Sequence, residues 1–270
     1  MSSRAMVPKA VLTEQLRTLG VREGAVMVAH SSFRAVGPVE GGPAGLLDAL
    51  GEVLGPSGTL IMPSMTGSRR LEPYDPARTP TRNMGIIAET FWRLPGVLRS
   101  DHPTSSFAAR GPMAEAITAP QPVAPGHRLD SPIGRVHELD GWALLLGVGQ
   151  DANTTIHLGE SLADVPYRTA KWTTMLVDGR PQRVEFPEID HCCRNFDLVD
   201  AWLDGGQQSR GTVGHATARL ARSADIIAAV IPRLRRSPLL FLCQPEAGCE
   251  DCDTARQSVT AAGSAVIDSE

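Results

Sequence analysis

Ala25-Val26-Met27-Val28-Ala29 is an apolar run that ends in His30-Ser31-Ser32, and the reading of this stretch decides the fold. Five apolar residues with no polar alternation describe a strand buried on both faces. Gly37-Pro38 and Gly41-Gly42-Pro43 then supply a turn, and residues 44–54 carry a helical pattern. The unit recurs. Gly58-Thr59-Leu60-Ile61-Met62-Pro63 is a second buried strand and 85–94 a second helix, while 142–148 is a third strand followed by a helix over 154–165. Upstream, Val11, Leu12, Leu16 and Leu19 stand at helical spacing over 10–19, with Gly20 as the stop. Strand and helix alternate, which predicts an α/β protein with a mixed central sheet flanked by helices on both faces.

Outside these units the pattern changes. Residues 99–132 are rich in Pro, Ser and His and show little periodicity beyond a short helix at 112–118; long ordered loops of this kind usually carry function. Beyond Tyr167, residues 173–177 and 183–186 alternate about Asp178-Gly179, an antiparallel hairpin. Helices are expected over 197–203 and 214–234, on either side of Gly205-Gly206, before Leu239-Leu240-Phe241-Leu242 and a cysteine-bearing C-terminus. Residues 1–260 read as one domain and 261–270 as a flexible tail.

Composition narrows the function. Of 270 residues 42% are hydrophobic and 4% aromatic, and 26 Lys and Arg against 30 Asp and Glu leave a net charge of −4. No basic run exceeds Arg235-Arg236, so a nucleic-acid partner is not expected, and no stretch approaches a membrane span. All five cysteines follow residue 190, an odd number without a secretory leader, which suits reduced thiols or metal ligands in a cytoplasmic protein. There is no phosphate-binding Gly-x-x-x-x-Gly-Lys-[Ser/Thr] loop, no convincing dinucleotide fingerprint and no Gly-x-Ser-x-Gly elbow.

The chemistry-bearing residues fall in four places. Asn153-Thr154-Thr155 is a strong helix start, which sets His157 in a first turn where the helix dipole favours a neutral ring, as a general base requires. Glu160, three residues on, can orient that ring or stand as a solvated helix charge. Glu188 and Asp190 alternate on an extended chain and share a face, fit to hold cationic groups or to edge a strand. His191-Cys192-Cys193 and Cys249-Glu250-Asp251-Cys252 offer soft ligands; His191 and Cys193 with Cys249 and Cys252 are the expected set for a structural zinc, against a group of reduced thiols. His30-Ser31-Ser32, with Ser105-Ser106 beside His102, supplies hydroxyls and N–H groups suited to a thioester oxyanion.

Taken together, Val28-Ala29-His30-Ser31-Ser32-Phe33, Gly58-Thr59-Leu60-Ile61-Met62-Pro63, Glu89-Thr90-Phe91-Trp92-Arg93, Arg99-Ser100-Asp101-His102-Pro103 and Asn153-Thr154-Thr155-Ile156-His157-Leu158 resemble the aminoglycoside 3-N-acetyltransferases. Val136–Gly141, Asp190–Cys193 and Pro245–Ser258 are similar to the type IV subclass, which modifies apramycin and gentamicin-type drugs. The resemblance implies the antibiotic N-acetyltransferase fold rather than the common N-acetyltransferase superfamily fold. It implies acetyl transfer from acetyl-CoA to the 3-amine of a 2-deoxystreptamine ring; the expected state of the chain is a monomer or homodimer. On it, His157 is the base, with Glu160 or Glu188 beside it. His30, Ser31, Ser32, Phe33, Arg34, Gly85 and Ser105 form the acyl-donor side, and Glu188 and Asp190 face the drug. Where the subclass tends to carry two aspartates, this chain reads Gly67-Ser68-Arg69-Arg70-Leu71-Glu72, so Glu72 and Asp75 are the expected compensating carboxylates. The rival readings are an acetyltransferase of another amine and a zinc-containing binding protein without catalysis.

Overall fold

β1 (Val26–Ser31) occupies the middle of a seven-stranded sheet because both of its faces are apolar. It pairs in parallel with β2 (Thr59–Pro63), Val28 opposite Ile61, and with β5 (Trp142–Leu146), Val28 opposite Ala143. β3 (Leu98–Arg99) and β4 (Phe107–Arg110) extend the β2 edge antiparallel, and β8 (Gln208–Val213) and β9 (Ala216–Arg222) extend the β5 edge, giving the order β3-β4-β2-β1-β5-β9-β8. A parallel centre with antiparallel flanks is the mixed sheet expected. The computed structural model describes residues 4–203 and 205–267, with side chains to residue 260.

Alternation along the central strands divides the interior into two cores. Met27, Ala29, Leu60 and Met62 face one core, closed by α1 (Lys9–Leu19), the single turn α2 (Phe33–Val36), α3 (Gly42–Leu54) and α4 (Gly85–Phe91) through Leu12, Leu16, Leu46, Leu50 and Phe91. Val28, Ile61 and Ala143 face the other. There α5 (Ala114–Thr118), α6 (Pro132–Glu138), α7 (Thr154–Ala163) and α8 (Ser223–Arg236) contribute Ile117, Ile133, Ile156 and Ile227, each burial contributing about 1.5–3 kcal/mol.

A separate hairpin, β6 (Thr169–Val177) and β7 (Arg180–Glu188), turns at Asp178 and Gly179, both at positive φ, as the Asp-Gly pair predicts. α9 (Glu250–Ile267) is tied to the base of β6 by the Ser258 hydroxyl, which accepts from the Arg168 N–H at 2.9 Å.

Two expectations are corrected. Residues 214–222 are not the start of a helix: Gly214-His215 turns the β8–β9 hairpin, and Ala216, Ala218 and Leu220 are buried at period two with Thr217 exposed between them. Alanine and arginine are helix formers, and here tertiary pairing overrides propensity. The 99–132 loop contributes β4 to the sheet. α9 enters the expected tail as far as Ile267, whose alanines favour helix, and residues 268–270 lie outside the described residues.

Candidate active site

α7 begins where Asn153 Oδ1 accepts from the Thr155 N–H at 3.1 Å, capping the helix at the end of the β5 crossover. That start places His157 at the first turn, 15% exposed, and Glu160 one turn further on, fully buried. Glu160 Oε2 lies 2.6 Å from His157 Nδ1 and Oε1 lies 2.8 Å from His191 Nε2, while the Tyr167 hydroxyl donates to the same carboxylate. Burial works against the charge, but the hydrogen bonds from His157 and His191 outweigh it and hold Glu160 at about 2.

The carboxylate leaves only Nε2 of His157 for chemistry, and that nitrogen lies 3.4 Å from Cys193 Sγ. Burial alone would lower the pKa of the ring; Cys193 and Glu160 overcome it and raise His157 well above its ordinary value. The expectation of a ring kept neutral by the helix dipole is thereby corrected: a direct pairing at 2.6 Å exceeds the modest dipole effect. His127 stacks on the ring, centroids 5.2 Å apart and 24° between planes, and Phe196 meets it edge-on at 4.9 Å.

His157 borders a cavity of about 890 Å³ that Thr154, Ser105 and His127 also line. Three carboxylates, Glu188, Asp190 and Asp251, and three cations, Arg69, Arg82 and Lys171, stand around it. Glu188 is buried, accepting from the Gly126 N–H at 2.9 Å and the Ile189 N–H at 2.9 Å, and burial raises its pKa. It clamps the loop that carries His127 and makes no hydrogen bond to His157; among the described residues Glu160 is the carboxylate bonded to that ring. Asp190 is ion-paired to Lys171.

A buried carboxylate–imidazole pair opening on a polar cavity is the arrangement for general-base transfer, and the sequence comparisons say which kind. A family model described as aminoglycoside 3-N-acetyltransferase matches residues 27–235. The chain belongs to that family. It is 53% identical over 242 residues to aminoglycoside N(3)-acetyltransferase IV of a Salmonella species, covering 89% of this chain and 92% of that one. Its fold matches the crystal structure of aminoglycoside acetyltransferase AAC(3)-IVa apoenzyme with a TM-score of 0.91 over 96% of this chain and 100% of that one, at 53% identity. A similar match, TM-score 0.90 at 52% identity over 96% of this chain and 100% of that one, is a histidine-to-alanine mutant of that enzyme in complex with a gentamicin. AAC-IIIb with CoASH matches at 0.80 and 27% identity over 86% of this chain and 97% of that one.

His30 is buried and bonded to Thr154 Oγ1 at 3.2 Å, which links β1 to α7; burial lowers its pKa to about 4, and it does not border the His157 cavity. The Ser32 hydroxyl accepts from the Ala35 N–H as the cap of α2, which leaves it engaged. Ser32, Phe33 and Arg34 border an open groove of about 620 Å³ with Arg4 and Pro38. Gly85 adopts φ +78 beside the end of β1: a Cβ there would meet only the Ser31 carbonyl, at 3.8 Å. Ser105 lines the His157 cavity rather than the groove, its N–H donating to His102 Nδ1 at 2.8 Å.

Two expectations fail on geometry. Glu72 is exposed and Asp75 accepts from the Ala77 N–H at 2.8 Å; neither borders the cavity. The expected ligand set of His191, Cys193, Cys249 and Cys252 is not brought together. Cys192, Cys243, Cys249 and Cys252 place their sulfurs within 4.8 Å of one another, whereas His191 and Cys193 group with His157. Consecutive residues of a turn point apart, and Cys193 at φ 59 sends Cys192 one way and His191 and Cys193 the other.

His127, Lys171, Arg82, Asp251, Tyr167 and Cys243 were not legible as site residues. Lys171 lies on β6, Asp251 on α9 and the others in loops, and only Cys243 carried a signal, as one of the five cysteines gathered after residue 190.

Proposed function

We propose that the chain acetylates the 3-amine of the 2-deoxystreptamine ring of aminoglycosides such as gentamicin and apramycin, with acetyl-CoA as donor, and so confers resistance. The observation that carries the reading is His157, fixed by Glu160, on the wall of a cavity that also bears carboxylates. In this reading His157 Nε2 takes the proton of the amine as its nitrogen bonds to the thioester carbonyl carbon, the C–S bond breaks, and the coenzyme A sulfur takes up a proton. Glu160 balances the imidazolium that forms. No acyl-enzyme is needed, since a neutral amine attacks a thioester directly. The groove along Ser32–Pro38 suits the donor, and a cytoplasmic site of action suits both acetyl-CoA and reduced thiols.

The second element of the proposal is a structural zinc on Cys192, Cys243, Cys249 and Cys252. Zn–S bonds of about 2.3 Å in a tetrahedron require sulfurs about 3.8 Å apart, and the thiols stand at 3.4 and 3.5 Å for the Cys192 pairs with Cys243 and Cys252. Zinc would neutralise repulsion between four thiolates and fasten α9 to the turn that carries His191 and Cys193. Among the described residues no helix is long and apolar enough to cross a membrane.

Thiol release from acetyl-CoA on addition of gentamicin or apramycin, with one acetyl group gained by the drug at the 3-amine, tests the reading. Thioester cleavage indifferent to either drug would refute it.

A further inference from the structure

An acceptor carrying several ammonium groups meets a cavity whose carboxylates are largely engaged. Glu188 is taken up by two backbone N–H groups and Asp190 by the Lys171 ammonium; among the described residues only Asp251 on this wall has neither kind of partner. Lys171 lies on β6 and Asp190 just past the end of β7, the pair 27% and 38% exposed, so the contact faces the space the acceptor would enter.

Two further cations stand close. The Arg69 N–H donates to the Trp172 carbonyl at 2.7 Å and the Thr174 N–H to the Arg70 carbonyl at 3.1 Å. This binds Arg69 and Arg70 along β6, and Arg69 lines the cavity with Lys171. Arg82 completes the set, its N–H donating to the Met65 carbonyl at 2.8 Å. Three cations against three carboxylates leave the wall near neutral, where a polycationic ligand calls for net negative charge.

We propose that Lys171 is a specificity-determining residue whose ammonium occupies Asp190 as a stand-in for an acceptor ammonium and must be displaced before an aminoglycoside can use that carboxylate. This rests on the aminoglycoside reading above. A lysine suits the role, since its flexible stem lets a compact charge leave one partner without disturbing the strand. Displacement also leaves the freed ammonium, with Arg69 and Arg82, repelling further positive groups of the ligand. The discrimination therefore grows with the charge of the acceptor.

The test is Lys171→Met, which keeps the length of the stem and removes its charge, with Lys171→Arg as the charge-retaining partner and Lys171→Gln as a second neutral variant. Acceptor KM for gentamicin and apramycin is measured at saturating acetyl-CoA, together with calorimetric affinity. Both neutral variants are expected to lower acceptor KM and Kd by about two- to fivefold, the worth of a half-exposed ion pair. The gain should shrink as salt rises, the KM for acetyl-CoA should hold, and Lys171→Arg should show no gain. Unchanged or weakened acceptor affinity in both neutral variants would overturn the inference and make Lys171 a support for Asp190. A wild-type chain that binds both drugs but acetylates neither would refute the functional reading instead, and the calorimetry would still decide the role of Lys171.

Discussion

Glu160→Gln keeps the shape of the side chain and removes its charge at the most interior point of the site. The carboxylate is wholly buried and takes hydrogen bonds from three groups, His157 at 2.6 Å, His191 at 2.8 Å and the Tyr167 hydroxyl. A glutamine offers one acceptor oxygen and turns an N–H₂ donor toward the others, so at least one contact becomes donor against donor. Breaking a buried pair of this kind costs about 3–5 kcal/mol. At roughly 2–4 °C per kcal/mol for a large domain, that lowers Tm by about 6–20 °C. Turnover should fall by about 10²–10⁴-fold, because His157 loses both its orientation and the counter-charge for its imidazolium. The pH profile separates this from simple unfolding. Glu160 raises the proton affinity of His157 in the wild type, so the imidazolium persists above its ordinary pH range and kcat/KM climbs to a plateau only once pH passes that raised value. In Glu160→Gln the rising limb should move to lower pH. A variant with wild-type Tm, turnover and pH profile would refute the reasoning.

Cys193→Ala should likewise move the rising limb to lower pH, since Cys193 is the first of the groups that raise His157 against burial; a pH–rate curve in place would contradict this. Cys249→Ser, or removal of metal by a chelator, should lower Tm and loosen the turn bearing His191, and elemental analysis should find one zinc per chain. Less than that, with all five thiols titrating freely in the folded protein, would leave only reduced cysteines. Gly126→Ala would set a Cβ 2.2 Å from Ser105 Oγ and 3.0 Å from Glu188 Oε2, overpacking the loop at a cost of about 1–3 kcal/mol and raising acceptor KM; unchanged Tm and KM would show that Glu188 does not clamp that loop.

The central sheet was legible because buried parallel strands leave continuous apolar runs: Val26-Met27-Val28-Ala29 and Thr59-Leu60-Ile61-Met62 could be little else. β9 was misread for the opposite reason, since its period of two rests on Ala216, Ala218 and Leu220, helix formers whose alternation is weak beside their helix propensity. His157 and Glu160 were legible as a pair because they stand one turn apart behind a strong cap. Their wider setting was not: Tyr167, and His191 with Cys193, reach the same point from two other segments, and no local pattern records that convergence. The cysteines show both sides. Their number and the Cys249-x-x-Cys252 spacing pointed to a metal, whereas the choice of Cys192 and Cys243 over His191 and Cys193 depends on which way each side chain of a tight turn points.

The most direct test of the account is acetyl transfer by purified wild type and His157→Ala, followed as drug-dependent thiol release from acetyl-CoA with gentamicin. The wild type should release thiol in step with acetylation of the drug, and His157→Ala should lose about 10²–10⁴-fold in turnover while it melts as the wild type does and still binds gentamicin. A folded, drug-binding His157→Ala with turnover near that of the wild type would contradict it.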